Sequence, residues 1–206
     1  MTIIWAKKIK WKWTLFADDC ISNWTWEKAS ASMNYRRKIR DLPRAKNYTL
    51  CATAWTCREV DLIMNYLDKD LSTKEYSTSL ELLDIIQETI VNWCKTLKEV
   101  DEENPTFNIF LLDVNLNVCY LIEEFSVKIL SDNVECVCWC WQEMFYKIHK
   151  EKSKLADDDK FIADIVFAAK YDDWCACPVF VTNWENFYTL DSNWEILSKK
   201  HMNLEQ

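Results

Sequence analysis

The sequence contains no glycine among its 206 residues and only three prolines. An average protein has roughly 7% glycine, so that about 14 would be expected in a chain of this length. Glycine supplies the positive φ of tight turns and lets the main chain approach a ligand closely. Its absence excludes a recognisable P-loop and a recognisable dinucleotide-binding fingerprint, because both depend on glycine. We therefore expect no hydrolysis of ATP or GTP.

Two kinds of apolar segment are also missing. The chain has no run of about 18 apolar residues, which predicts no transmembrane helix and no membrane insertion. The N-terminus lacks the apolar core of a secretory signal peptide. The ten cysteines are scattered through apolar stretches, which favours reduced and buried thiols over disulfides in a chain of this size. These features together predict a cytoplasmic protein.

The residues that are abundant make the composition more unusual. Twelve tryptophans and ten cysteines occur in the same chain that lacks glycine. An enzyme ordinarily needs glycine at turns and where the main chain approaches a ligand closely. The composition therefore favours a designed sequence, or an extreme natural subunit of a larger assembly, over an ordinary enzyme.

Positive charge is concentrated near the N-terminus. Residues 1–46 contain 11 Lys and Arg against 4 Asp and Glu, a balance of +7, while the whole chain has a net charge of −8. Lysine can pair with phosphate and tryptophan can stack on bases, so this region is a candidate site for an anion or a nucleic acid. The alternative is an amphipathic strand whose lysines protect a sheet edge. The candidate patch comprises Lys7, Lys8, Lys10, Lys12, Arg36, Arg37, Lys38, Arg40 and Arg44.

The segment 133–142 has the sequence NVECVCWCWQ, which is apolar on both faces of a strand. Such a strand belongs in the middle of a sheet that is covered on both sides. Residues 2–16 alternate as a first strand, Ala17–Asp19 would form the turn, and 21–26 would return as the second strand of a hairpin. From residue 48 onward, predicted strands and helices alternate. Strands are predicted at 48–55, 107–114 and 178–182, and helices at 56–71, 78–98, 118–130, 142–150, 157–170 and from Asn183 to His201.

This alternation predicts a single α/β domain over residues 1–206. Its sheet would be mostly parallel with helices on both faces, a three-layer arrangement, preceded by an N-terminal segment resembling a β-hairpin. Residues 1–46 would be the basic hairpin or arm, and 47–206 the α/β body. In open α/β sheets, ligands bind beyond the carboxyl ends of the strands. The candidate ligand residues there are Asp113, Asn115, Gln142, Thr182 and Asn183, and the alternative is that they cap helices.

Cysteine and histidine give no strong metal or catalytic motif. Successive residues of Cys136-x-Cys138-x-Cys140 would lie about 6.5–7 Å apart on a strand, which is wide for one tetrahedral zinc. Trp174–Pro178 contains two cysteines with one residue between them, whereas thiol redox motifs have two. His149 and His201 both lie near predicted helix ends, where a cation suits the helix dipole. We predict no catalytic residue, no bound metal and no cofactor, with a thiol or metal protein as a further alternative.

The sequence therefore predicts a non-enzymatic structural or interaction protein that binds other proteins. Binding of nucleic acid through the basic N-terminal region is the first alternative. The order of elements also fits a small GTPase, with Ala52–Trp55 where a switch segment could lie. The guanine-binding Asn-Lys-x-Asp sequence is absent, so this second alternative would be a catalytically silent relative.

Overall fold

The computed structural model of the chain describes residues 4–9, 11–18, 20–22, 28–30, 38–55, 57–100, 107–123, 125–132, 136–138, 179–183, 186–190 and 196–201. Two helices lie in these ranges, α1 at Cys57–Thr73 and α2 at Ser79–Val100. The early strands are β1 Ile4–Ile9, β2 Lys12–Asp18, β3 Cys20–Ser22, β4 Lys28–Ser30, β5 Ile39–Asp41 and β6 Thr49–Trp55. The later strands are β7 Phe107–Asp113, β8 Val118–Glu123, β9 Ser126–Ile129, β10 Cys136–Cys138, β11 Val179–Asn183, β12 Asn186–Leu190 and β13 Ile196–His201.

The strands form two main sheets, and every described strand pair is antiparallel. One sheet has six strands in the order β10-β1-β2-β11-β12-β13. The other has five strands in the order β5-β6-β7-β8-β9. Strands β3 and β4 form a separate two-stranded ladder. Strands from the beginning and the end of the chain therefore lie side by side in one sheet.

The five-stranded sheet is buried on both faces. One face packs against the six-stranded sheet, with Trp13 and Leu15 of β2 in contact with residues such as Leu50 and Phe110. The opposite face packs under α1 and α2 through residues that include Ile109. Side chains on a strand alternate between its two faces, so β7 must be apolar at nearly every position to bury both. This explains why Phe107–Asp113 is one continuous buried run.

Helix α2 begins at a capping box formed by Thr78 and Glu81. The main-chain N–H of Glu81 donates to Thr78 Oγ1 at 3.2 Å, and the N–H of Thr78 donates to Glu81 Oε2 at 3.1 Å. These two bonds satisfy N–H groups that a helix start otherwise leaves unpaired. The Glu81 carboxylate also accepts the N–H and the hydroxyl of Ser77, and the hydrogen bonds that it accepts lower its pKa, with the N–H of Ser77 as the largest cause and the N–H of Thr78 as a smaller one. The strands predicted at 48–55, 107–114 and 178–182 are confirmed as β6, β7 and β11.

The predicted mostly parallel, three-layer α/β fold is wrong, because the described sheets are antiparallel and the two described helices both lie on one face of the five-stranded sheet. The alternation of predicted strands and helices suggested a parallel sheet with helices on both faces, but one face of β6 and β7 is covered by a second sheet. The helix predicted at 118–130 is instead the hairpin β8–β9. The predicted C-terminal helix is instead β12 and β13. The helices predicted at 142–150 and 157–170 lie outside the described residues.

The N-terminal hairpin exists, but its turn lies elsewhere. The predicted strand 2–16 is divided into β1 and β2 at Trp11, whose φ is 70°. The predicted turn at Ala17 and Asp18 is instead the end of β2. The strand predicted to be central around Cys136–Cys138 pairs with β1 alone among the described strands, at the end of the six-stranded sheet. Its continuous apolar pattern therefore does not arise from a position in the middle of the sheet.

Candidate functional site

A buried ion pair lies where β2 ends. Asp18 is the last residue of β2, and Lys38 immediately precedes β5 of the other sheet. Lys38 Nζ lies 2.6 Å from Asp18 Oδ1. The side chains are 5% and 1% exposed, respectively. The contact therefore joins the two sheets through two charges that are removed from water.

Burial distinguishes this pair from the other ion pairs that the structure describes. In each of those, at least one side chain is about a third exposed or more, as in Arg40–Asp61 or Lys8–Asp132. Taking two charges out of water costs several kcal/mol per ion, and apolar residues of similar volume are often no less stable. A contribution to folding stability is therefore a weak explanation for a fully buried ion pair. Residues that break the packing rules in this way are expected at functional sites.

Strand β6 fixes the main chain at Lys38. The N–H of Thr53 donates to the carbonyl oxygen of Lys38 at 2.9 Å, and Thr53 Oγ1 donates to the same oxygen at 3.2 Å. Thr53 is 5% exposed, and β6 lies between β5 and β7 in its sheet. The lysine therefore extends from a main-chain position held by an interior strand.

The start of β1 lies beside the acidic member of the pair. Ile4, the first residue of β1, is paired with Ala17, the residue before Asp18. The chain thus enters the six-stranded sheet at the end of β2 where the ion pair is found. Residues 1–3 lie outside the described part of the chain. Sequence analysis assigned Asp18 to a turn and Lys38 to the anion patch, and neither assignment predicted their contact.

Asp113 and Asn115, two of the predicted strand-end ligand residues, support the β7–β8 turn. Asp113 is fully buried and accepts hydrogen bonds from Asn47 Nδ2 and from the N–H of Leu116, both at 2.8 Å. Asn115 Oδ1 accepts the N–H of Tyr48 at 2.9 Å. Their polar groups are thus used within the turn and its neighbouring loop.

Tyrosines lie near the same carboxylate. Burial, and then the negative charge of Asp113, raises the pKa values of Tyr76 and Tyr120. Burial, and then the charge of Asp41, raises the pKa of Tyr48 to about 12. These phenols therefore stay neutral to higher pH than a tyrosine in water.

The other predicted strand-end residues are not beside Asp113 in the sheet. Thr182 and Asn183 belong to β11 of the six-stranded sheet, and Thr182 is fully buried opposite Leu15. Gln142 lies outside the described residues. The strand-end ligand site remains a prediction for these positions.

Several members of the predicted anion patch have acidic partners. Besides Lys38, these are Lys8 with Asp132 at 2.7 Å, Arg40 with Asp61 at 2.5 Å and Arg44 with Asp68 at 2.7 Å. Lys7 and Lys12 are partly buried. Lys10, Arg36 and Arg37 lie outside the described residues. The patch as a whole remains a prediction, but its described positive charges are largely compensated from within the chain.

The thiols that the structure describes include those of Cys51, Cys94 and Cys119, all buried. Burial raises the pKa of the Cys51 thiol, so it stays protonated. Within the described ranges, no cluster of three His, Cys, Asp or Glu side chains could hold a metal ion. Cys140, Cys175 and Cys177 lie outside those ranges, as does His149. None of the helices in the described ranges has the length and apolar character needed to cross a membrane.

Comparison of the sequence with protein families and with curated proteins gives no match. Comparison of the structure with solved structures gives several. Anbu (a Gly-1 mutant) from Hyphomicrobium sp. strain MC1 superposes with a TM-score of 0.66 at 9% identity, covering 100% of this chain and 89% of that one. BPH from Thiobacillus denitrificans, in complex with epoxomicin, gives 0.63 at 14% identity, covering 88% and 98%. HslV from Trypanosoma brucei gives 0.62 at 11% identity, again covering 88% and 98%.

These similarities correct the function expected from composition. We expected a structural or interaction protein, with a nucleic-acid-binding module and a silent GTPase relative as alternatives, but the fold is similar to that of Anbu, BPH and HslV. The expectation of a designed or unidentified chain is corrected as well, since the fold is one found in natural proteins from several organisms. At such low identity the likeness establishes the fold and not the activity. The chain is therefore similar in fold to Anbu, BPH and HslV.

Proposed function

We propose that this chain is a peptide-hydrolysing subunit of a proteasome-like assembly. The observation that supports this best is the buried Asp18–Lys38 ion pair, placed at the end of β2 where β1 begins. A fixed positive charge in a site from which water is excluded can stabilise negative charge that develops during a reaction. The fold shared with Anbu, BPH and HslV supports the same proposal.

Thr2 is the proposed nucleophile. It precedes the first residue of β1 by two positions in the sequence. A threonine hydroxyl is a weak nucleophile by itself, but a free α-amino group on the same residue can act as its base. This requires that whatever precedes Thr2 in the chain be removed. The positive charge of Lys38 would favour the loss of the hydroxyl proton, and Asp18 would hold the lysine in place.

The reaction can be written with each proton placed. The Thr2 oxygen forms a bond to the carbonyl carbon of a peptide, while the α-amino group takes the hydroxyl proton. The carbon–nitrogen bond then breaks as that proton passes to the leaving amine, which leaves an ester on Thr2. Water attacks the ester with the same amine as base, releasing a carboxylic acid and restoring the hydroxyl.

The test uses epoxomicin, the compound bound in the complex of the Thiobacillus protein. The purified chain is incubated with epoxomicin and its intact mass is measured, together with the identity of its N-terminal residue. We expect an N-terminal Thr2 and a mass increase equal to one inhibitor molecule. Thr2→Ala and Lys38→Met should abolish both the mass increase and the hydrolysis of fluorogenic peptides.

A matched control tests whether an effect of Lys38→Met comes from the charge at this site or would follow from the removal of any lysine. Lys128→Met removes an exposed lysine whose partner is Glu123 at 3.0 Å, on the hairpin β8–β9. We expect this variant to react with epoxomicin as the unmodified chain does. Labelling that persists in Lys38→Met, or peptide hydrolysis that persists in Thr2→Ala, would refute the proposed site.

We also propose that the chain works together with further protein subunits. The support is the similarity of fold to Anbu and HslV and a set of apolar side chains left exposed on the helices, namely Leu62, Tyr66 and Leu80. Native mass spectrometry of the purified protein should show species heavier than one chain. A single species of 24.7 kDa at micromolar concentration would contradict this part of the proposal.

A further inference from the structure

Lys38 lies just beyond the end of the short edge strand β5. Strand β5 has only three residues and lies at the edge of its sheet, where β6 is its partner. The last residue pair of this ladder is Ile39 with Ala52, and Lys38 lies one residue beyond it. An edge strand of this length has few hydrogen bonds, so its end opens more readily than an interior strand.

Two hydrogen bonds from Thr53 hold the main chain at Lys38 in spite of this short strand. Its N–H and its hydroxyl both donate to the carbonyl oxygen of Lys38, at 2.9 and 3.2 Å. Thr53 itself is firmly placed, because it is opposite Ile109 of β7 in the middle of the sheet. The N–H bond would be available from any residue other than proline, whereas the hydroxyl bond requires serine or threonine. The side chain of Thr53 therefore adds a second fixed point to the carbonyl of Lys38.

We propose that Thr53 is a positioning residue whose hydroxyl holds the main chain of Lys38 so that its ammonium group stays in contact with Asp18. This inference rests on the proposed hydrolytic function of the Asp18–Lys38 pair. Thr53 does not act on the substrate. It acts through Lys38, whose long side chain would turn a small displacement of the main chain into a larger displacement of Nζ. A displacement of about 1 Å at a catalytic group can reduce a rate by about 10²-fold.

The same strand provides a matched control. Thr49 is also on β6, is 1% exposed, and its hydroxyl also donates to a main-chain carbonyl oxygen, that of Asn47 at 3.0 Å. It has no contact with Lys38 among the hydrogen bonds of the described residues. Valine at either position keeps nearly the same volume and removes the hydroxyl. Thr49→Val therefore reproduces the packing and stability effects of Thr53→Val without changing the support of Lys38.

The experiment compares kcat and KM for a fluorogenic peptide in Thr53→Val, Thr53→Ser and Thr49→Val. We expect Thr53→Val to lower kcat about tenfold or more while KM changes less than about twofold, because a misplaced catalytic group affects the chemical step. Thr53→Ser should restore most of kcat, since it restores the hydroxyl. Thr49→Val should remain close to the unmodified protein. Amide hydrogen exchange of residues 38–41 should be faster in Thr53→Val than in Thr49→Val.

The outcomes separate this inference from the proposed function. If Lys38→Met abolishes turnover but Thr53→Val and Thr49→Val have the same kcat, the hydrolytic function stands and the role of Thr53 is refuted. If Lys38→Met retains turnover, the proposed function itself fails. The exchange measurement does not depend on activity, so equal exchange of residues 38–41 in the two valine variants refutes the positioning role even in an inactive preparation.

Discussion

The side-chain amide of Asn117 joins the turns of two different sheets. Asn117 Nδ2 donates to the carbonyl oxygen of Trp11 at 2.9 Å, and Asn117 Oδ1 accepts the N–H of Trp13 at 3.3 Å. Trp11 lies in the β1–β2 turn and Asn117 in the β7–β8 turn. Both have positive φ, 70° and 52°, in a chain without glycine. Asparagine tolerates this conformation, whereas a bulky residue such as tryptophan is strained in it.

Relief of this strain gives the first prediction. Trp11 is 83% exposed, so its side chain contributes little packing. Trp11→Gly removes the clash of Cβ at positive φ, about 1–2 kcal/mol, and adds about 0.5–1 kcal/mol of chain entropy to the unfolded state. We expect the free energy of unfolding to rise by about 0.5–1 kcal/mol, as measured by urea denaturation. Trp11→Ala keeps Cβ and should gain less. If Trp11→Gly is instead less stable than Trp11→Ala by about 0.5–1 kcal/mol, the entropy cost of glycine alone, the turn is not strained.

The buried ion pair gives the second prediction. Lys38→Met or Asp18→Asn leaves one buried partner without its counter-charge, and we expect each to destabilise the fold by about 3–5 kcal/mol. The double variant should lose less than the sum of the two, because it leaves no lone buried charge. Lys128→Met, in the exposed pair with Glu123, should cost no more than about 1 kcal/mol. Additive losses in the double variant would mean that Lys38 and Asp18 do not interact.

The start of α2 gives the third prediction. Thr78→Ala removes the hydroxyl that accepts the N–H of Glu81, and we expect a loss of about 1 kcal/mol in the free energy of unfolding. Thr96 is the control, since it is also exposed but its hydroxyl bonds within α2 to the carbonyl of Asn92. Thr96→Ala should change stability by no more than about 0.5 kcal/mol. A loss of the same size in both variants would argue against a specific capping role.

The raised pKa of Tyr48 gives the fourth prediction, which concerns the stability of the fold at alkaline pH. The pKa of Tyr48 is raised from 10.0 to about 12, by burial first and by Asp41 second. A raised pKa in the folded state means that the stability is complete below pH 10 and is lost as the pH rises towards 12. We therefore expect the urea midpoint to fall as the pH rises from 10 towards 12. Tyr48→Phe cannot ionise at this position, so its midpoint should fall less over the same range. An identical fall in both proteins would locate the effect at other groups.

The sequence correctly predicted those helices and strands whose signals lie within one short segment. The capping box and apolar stripe of α2 lie within one segment, and the apolar runs of β6 and β7 have strand length. The segment 118–130 was misassigned because apolar residues at Leu121, Ile122 and Ile129 fit a helix and a strand pair alike. The six-stranded sheet that covers one face of β7 was not predictable from its sequence, since an apolar pattern shows that a face is buried but not which element covers it.

The candidate site was less accessible to sequence analysis, because it depends on a contact between distant residues. Asp18 follows an alternating strand, so a turn was the natural interpretation, and Lys38 stands among other basic residues. Only the pairing of the sheets brings the two charges together and removes them from water. An acidic residue at the end of an alternating apolar strand was the one available signal.

The arrangement of the six-stranded sheet has a consequence for synthesis of the chain on the ribosome. Phe16 of β2 is paired with Val181 of β11, and β12 and β13 extend the same sheet. The N-terminal hairpin is therefore translated early, whereas β11, the strand that pairs with β2, is translated more than 150 residues later. During that interval one edge of β2 has no strand beside it, and such an edge can pair with other chains. The first hairpin is thus the segment that a nascent-chain chaperone has most reason to cover.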